Sequence, residues 1–148
     1  MKKSIPLIIL IMVVFITGTL WAGGNDADVK AIQKTMDKQL VEWNKGNVDG
    51  FMAGYWKSEK FTFQSGNKRL LGYQQLAAMY KKNYAGTKMG TLTFKDLEFK
   101  HLAKDLYMVM GRWNVKTQAT KDNEKEGLFT LLFRKIDGSW KIIHDHSS

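Results

Sequence analysis

The chain has 148 residues, no cysteine, one proline and a formal charge of +9, a length that suits one domain with a real core. The lack of cysteine excludes disulfides, thiol chemistry and lipidation through a cysteine. Its lysines (Lys81-Lys82, Lys95, Lys100, Lys104, Lys116, Lys121, Lys125, Lys141) are scattered among acids rather than massed, which points to a solvated cationic surface and against nucleic acid as a partner.

Met1-Lys2-Lys3, an apolar run over 5–16 and the small-residue stretch 17–24 have the layout of a secretory signal. Residues 1–22 are expected to be a signal peptide, cleaved after Ala22 or Gly24, leaving a charge of +7 once Lys2 and Lys3 are gone. The product would be exported, periplasmic or secreted, with no stable membrane insertion after processing. An uncleaved anchor is the second reading, since the run is nearly of spanning length.

Asn25-Asp26-Ala27-Asp28 supplies helix caps, and Val29, Ile32, Met36, Leu40 and Trp43 recur at helical spacing up to Gly46. Asn47 caps a short second helix through Phe51, Met52 and Tyr55. Two short strands, 61–63 and 68–71, flank a Ser65-Gly66-Asn67 turn, and a third helix covers 73–84. From Thr91 every signal is β. Leu92 and Phe94 have one parity and Leu97 and Phe99 the other, so a bulge near Lys95-Asp96 is expected to bring all four to one face. The next strand is 106–117, then a polar loop over 118–124 and a strand from about Lys125, with Trp113 near Phe129 and Val109 near Phe133.

Asp137-Gly138 between two apolar runs predicts a tight hairpin over 128–148. Regular alternation from that turn sets Phe133 against Ile142, Leu131 against His144 and Phe129 against His146 on one face. Leu128, Thr130, Leu132, Ile143, Asp145 and Ser147 fall on the other, together with Met110, Arg112 and Asn114. Both faces are apolar, so both need cover: helices on one, a second chain on the other. The face with Trp113, Phe129, Leu131, Trp140, Ile142 and His144 is the expected homodimer surface.

The segment Trp43-x-x-Gly46-Asn47-Val48-Asp49, Tyr55-Trp56, Gly72 before the third helix, and the ending Asp137-Gly138-Ser139-Trp140-Lys141-Ile142-Ile143-His144-Asp145-His146-Ser147-Ser148 resemble the nuclear-transport-factor-2-like superfamily in its SnoaL-like branch. The ending is also similar to that of the calmodulin-dependent kinase hub domain. The resemblance covers 25–148 as a single SnoaL-like domain. It implies an α+β, cone-shaped fold in which three N-terminal helices and a curved antiparallel sheet enclose a cavity, on the face of Leu128, Thr130, Leu132, Ile143 and Asp145. It is a poor guide to function, because the superfamily includes enzymes, hubs and carriers. Ketosteroid isomerase, a relative, has its base and oxyanion donors at positions matching Phe63 or Gln64, Gln39 and Thr130, none of which can do that chemistry.

The candidate ligand-binding residues are therefore Trp43, Tyr55, Arg112, Asn114, Thr130 and Asp145, with Asp145 also the candidate catalytic acid or base and Arg112 its expected ion-pair partner. His144 and His146, with His101, offer a weak metal alternative, outweighed by histidines packed among aromatics. Nothing in the sequence asks for a cofactor. The first reading is an exported protein that binds a small apolar or aromatic ligand carrying a polar group; a lyase, isomerase or hydrolase using Asp145, and an oligomerisation module, are the alternatives.

Overall fold

The computed structural model describes residues 25–84, 89–117 and 123–148. The expected signal segment, its cleavage sites and most of the loop expected over 118–124 lie outside the described residues. Among the described residues no helix is long and apolar enough to cross a membrane.

Helix α1 is Asp26–Asn44; the Asn25 side chain accepts from the Ala27 amide at 3.0 Å, and Asp26 and Asp28 sit in the first turn, where the helix dipole favours acids. Ile32, Met36 and Trp43 form its buried stripe. Gly46, at φ 79, lets the chain leave in the left-handed region. Helix α2, Val48–Met52, ends before the expected Tyr55 because the chain beyond it is recruited by the sheet. The Trp56 amide donates to the Ile142 carbonyl at 2.9 Å, and the Ile142 amide donates to Gly54 at 3.0 Å.

Strands β1 (Thr62–Ser65) and β2 (Lys68–Leu71) and helix α3 (Tyr73–Asn83) follow, then β3 (Thr91–Ala103), β4 (Leu106–Lys116), β5 (Glu124–Ile136) and β6 (Ser139–Ser147). One sheet runs β2-β1-β6-β5-β4-β3, antiparallel throughout except that β1 pairs β6 in parallel. The expected bulge in β3 is present: the register shifts between Lys95 and Glu98, Asp96 has φ 54, and Leu92, Phe94, Leu97 and Phe99 all belong to the core.

Between β4 and β5 the register differs by two residues from expectation. Trp113 pairs with Gly127 and Val109 with Leu131, because pairing runs on to Lys116 and Glu124, inside the segment expected to be loop. A shift of two leaves the faces unchanged.

A shift of one between β5 and β6 has larger consequences. The turn is as expected, with Asp137 at φ 49, Gly138 at φ 75 and Ile136 opposite Ser139, and Phe133 does face Ile142. Beyond that pair Ile143 is an extra residue, so Leu132 faces His144, Leu131 faces Asp145 and Phe129 faces Ser147. The bulge lies where β6 changes its other neighbour, from Tyr55 at Ile142 to Thr62 at His144.

Asp145 and Ser147 thereby join Phe129, Leu131 and Phe133 on the helix-covered face. Leu128, Thr130, Leu132, Met110 and Arg112 remain on the outer face with His144. Phe129, Leu131, Trp140 and Ile142, expected at a dimer contact, are instead buried within the chain.

Candidate functional site

Between the helices and the sheet lies a cavity of about 550 Å³, within the range of small-molecule sites. Its helix side is walled by Trp43, Phe51, Tyr55, Tyr80 and Tyr84, and its sheet side by Phe94, Trp113, Phe129 and Leu131. The rings brace one another at edge or tilted angles: Trp43 to Phe51 at 4.9 Å, Trp43 to Tyr84 at 5.1 Å, Phe51 to Tyr55 at 5.7 Å and Phe94 to Phe129 at 5.3 Å. Trp43 is further fixed by its Nε1, which donates to the Met89 carbonyl at 3.0 Å. On the sheet side Gly111 makes room for Phe129, since a Cβ there would lie 2.7 Å from the ring.

Asp145 is the one carboxylate on this wall among the described residues and is only 2% exposed. Its Oδ2 accepts from the Tyr55 hydroxyl at 2.9 Å and its Oδ1 from the Ser147 hydroxyl at 2.7 Å. Tyr55 is held over β6 by the Ile142 backbone bridge described above, and Asp145 is turned inward by the Ile143 bulge. Burial raises the Asp145 carboxyl above its usual range, against the opposing effects of Ser147, Tyr55 and His146. Burial also raises Tyr55 and Tyr80, with the Asp145 charge adding to it, and the two tyrosines' hydroxyls interact with each other. Both phenols are therefore neutral, and the carboxyl that Tyr55 donates to gives up its proton less readily than an exposed one. Such a group can donate a hydrogen bond or a proton to a ligand, or take one back once ionised.

Of the expected ligand residues, Trp43, Tyr55 and Asp145 meet at this cavity. Arg112, Asn114 and Thr130 do not, because the extra residue in β6 moves Asp145 to the face opposite theirs. Arg112 has a side chain 39% exposed and lies 3.6 Å from Glu126 and 3.9 Å from Asp96. Its expected pairing with Asp145 is absent. Asn114 donates to Glu124 at 2.7 Å, and Thr130 sits opposite His146 on the outer face.

Among the positions matched to the isomerase, Phe63 lines the cavity. Gln39 is buried away from it, donating to the Phe51 carbonyl at 3.2 Å. Tyr80 was missed as a site residue, though its spacing of four from Tyr84, which follows α3 directly, brings the two rings within 5.4 Å.

His144 is on the outer face, where its Nδ1 lies 2.6 Å from the Thr62 hydroxyl; burial, His146 and Arg69 lower its pKa. His101 stacks on Tyr107 in β3, separated from β6 by two strands. Among the described residues no three His, Asp or Glu side chains converge as a metal site would require.

A SnoaL-like domain profile matches residues 25–148. A nuclear-transport-factor-2-like protein of unknown function from Shewanella oneidensis is 37% identical, with a TM-score of 0.76 over 82% of this chain and 98% of that one. Two more distant structures share the fold. A Novosphingobium aromaticivorans protein, provisionally described as an aromatic ring hydroxylase, has a TM-score of 0.70 at 13% identity, over 85% of this chain and 91% of its own. One from Xanthomonas campestris, provisionally described as a calcium/calmodulin-dependent protein kinase II association domain, has 0.65 at 20%, over 87% and 90%. None of the curated proteins compared with the chain matches it.

Proposed function

Because the chain belongs to the SnoaL-like family of the nuclear-transport-factor-2-like superfamily, we propose that it is an exported protein that binds a small, largely apolar or aromatic molecule in the cavity between helices and sheet. The observation that carries this reading is a buried acid, Asp145, at an aromatic-walled cavity, with hydroxyl groups as its side-chain hydrogen-bond partners among the described residues. The rings supply apolar contact area, and the few polar groups fix the ligand's orientation. Native mass spectrometry of protein purified from its own compartment tests it. A retained small molecule, lost on replacing Tyr55 or Asp145, is the expected result; protein that carries nothing and quenches no tryptophan fluorescence with any of a panel of aromatic ligands overturns it. Export itself rests on the layout of residues 1–24, and an intact mass beginning at Gly23 or Asn25 is expected.

The Tyr55–Asp145 contact favours an enzymatic second reading, in which this pair moves a proton in a lyase, isomerase or hydrolase step without help from Arg112. Turnover of a bound molecule that disappears in Asp145→Asn while binding persists would establish it over simple carriage.

A homodimer is also proposed, now through the outer face. Leu128 is 56% exposed there, and Met108, Met110 and Leu132 are only half-buried, an apolar stripe of the kind that a two-fold contact buries.

A further inference from the structure

Among the described residues, three charged side chains line the cavity: Asp145, Lys68 and Lys125. The two lysines reach it by strand parity. Lys125 pairs with Val115 and lies two and four residues before Gly127 and Phe129 on the helix-covered side of β5. Lys68 is opposite Ser65, which lines the cavity together with Phe63. Both lysines are exposed and thus mark the mouth, whereas Asp145 is buried in the interior. The other polar groups on the lining, including Ser65, Asn83, Thr117 and Asn123, are uncharged.

The site is therefore positive at its described entrance, aromatic in the middle and faced by a buried acid within. A cation would be repelled at the mouth. A neutral molecule would leave the lysines unused, but a carboxylate or sulfonate held outward would meet the positive charge there while its apolar body displaced water from the rings.

We propose that the ligand is an amphipathic anion: an apolar or aromatic body seated among the rings, with its acidic group at the mouth, on the side of Lys68 or of Lys125. This rests on the small-ligand reading above.

Two fluorescent probes that differ only in the acidic group test it, anilinonaphthalenesulfonate and its sulfonate-free counterpart N-phenylnaphthylamine. The purified protein is expected to bind the sulfonate about tenfold more tightly at low salt, with the advantage shrinking as salt is added. The double variant Lys68→Gln, Lys125→Gln should lose that advantage while its affinity for the neutral probe stays within twofold. The probes should displace each other, and Val115→Trp, which fills the mouth, should weaken both. Equal affinities with mutual displacement would overturn the anion assignment and leave the cavity reading standing. Sulfonate binding that the neutral probe does not displace would place the anion on the outer surface, and the assignment would again fail. If neither probe binds, the cavity reading falls with it.

Discussion

Tyr55 and Asp145, 90 residues apart in the chain, meet in a buried hydrogen bond of 2.9 Å, and the backbone helps to aim each of them. Tyr55 is brought over the sheet by its bridge to Ile142. Asp145 is turned toward it by the unpaired residue that follows Ile142. Mutations at this contact are informative because, among the described residues, neither partner is in a salt bridge that would mask the effect.

Stability should depend on pH through Asp145. Burial raises its pKa in the folded chain, so the folded state holds the proton more tightly than the unfolded state does. Folding free energy is then most favourable below the unfolded carboxyl value, about 3.9. It declines as pH rises toward the raised folded value and stays lower above that. Asp145→Asn removes this slope. In urea unfolding, the variant should gain on the wild type between acidic and neutral pH, and a difference that is constant with pH would contradict the burial argument.

Tyr55→Phe takes away one of the two donors to Asp145 and leaves that carboxylate oxygen without its buried partner. A loss of about 1–3 kcal/mol is expected at neutral pH. In a double-mutant cycle with Asp145→Asn the two changes should be non-additive by on the order of 1 kcal/mol. Additivity would mean that the hydrogen bond contributes nothing beyond its parts.

Gly111→Ala places a methyl 2.7 Å from the Phe129 ring and 2.8 Å from Leu97. Overpacking of this kind costs roughly 1–3 kcal/mol, and displacement of Phe129 should also weaken any aromatic ligand. A variant as stable as the wild type in thermal unfolding would show that the sheet side of the cavity yields more readily than its packing implies.

Leu132→Lys on the outer face should convert a dimer to a monomer with little change in cavity binding. Trp113→Glu should damage the cavity instead and leave association intact, the reverse of what the hairpin's regular alternation implies. Sedimentation at tens of micromolar, roughly where a standard-size interface holds, separates the two. A monomeric wild type would remove the outer face as a contact.

Much of the architecture is legible in the sequence because its signals are local. Asp137-Gly138 sets the hairpin turn, the parity change between Phe94 and Leu97 announces the bulge in β3, and Asn25 and Asn47 mark two helix starts. The β6 bulge has no such mark. Ile143 is β-branched and apolar like its neighbour Ile142, and both faces of β5 carry large apolar side chains, so burial pattern alone could not choose a face. Alternation carried past one unpaired residue inverts everything beyond it. That inversion linked Asp145 with Arg112, Asn114 and Thr130 and assigned the buried rings to a dimer contact. Trp43 escaped the error because it lies on α1, where the period is different and no register is involved, and Tyr55 because its bridge is to Ile142, on the turn side of the unpaired residue.

The parallel pairing of β1 with β6 bears on how the protein is made. Thr62, Phe63 and Gln64 find their partners in His144, Asp145 and His146, so on a ribosome the hairpin of β1 and β2 waits, with one edge unfilled, until some 80 further residues have emerged. The strands from β3 to β5 and the first part of β6 can zip by short-range pairing in the meantime, but the join that seats Asp145 beside Phe63 is a long-range closure, the slow kind. A chain caught before that step has its apolar hairpin edge and aromatic helices exposed together, a species prone to aggregate. Slowing the addition of the last strand, for instance by fusing a bulky tag directly after Ser148, should therefore lower the yield of soluble protein more than the same tag placed before Asn25.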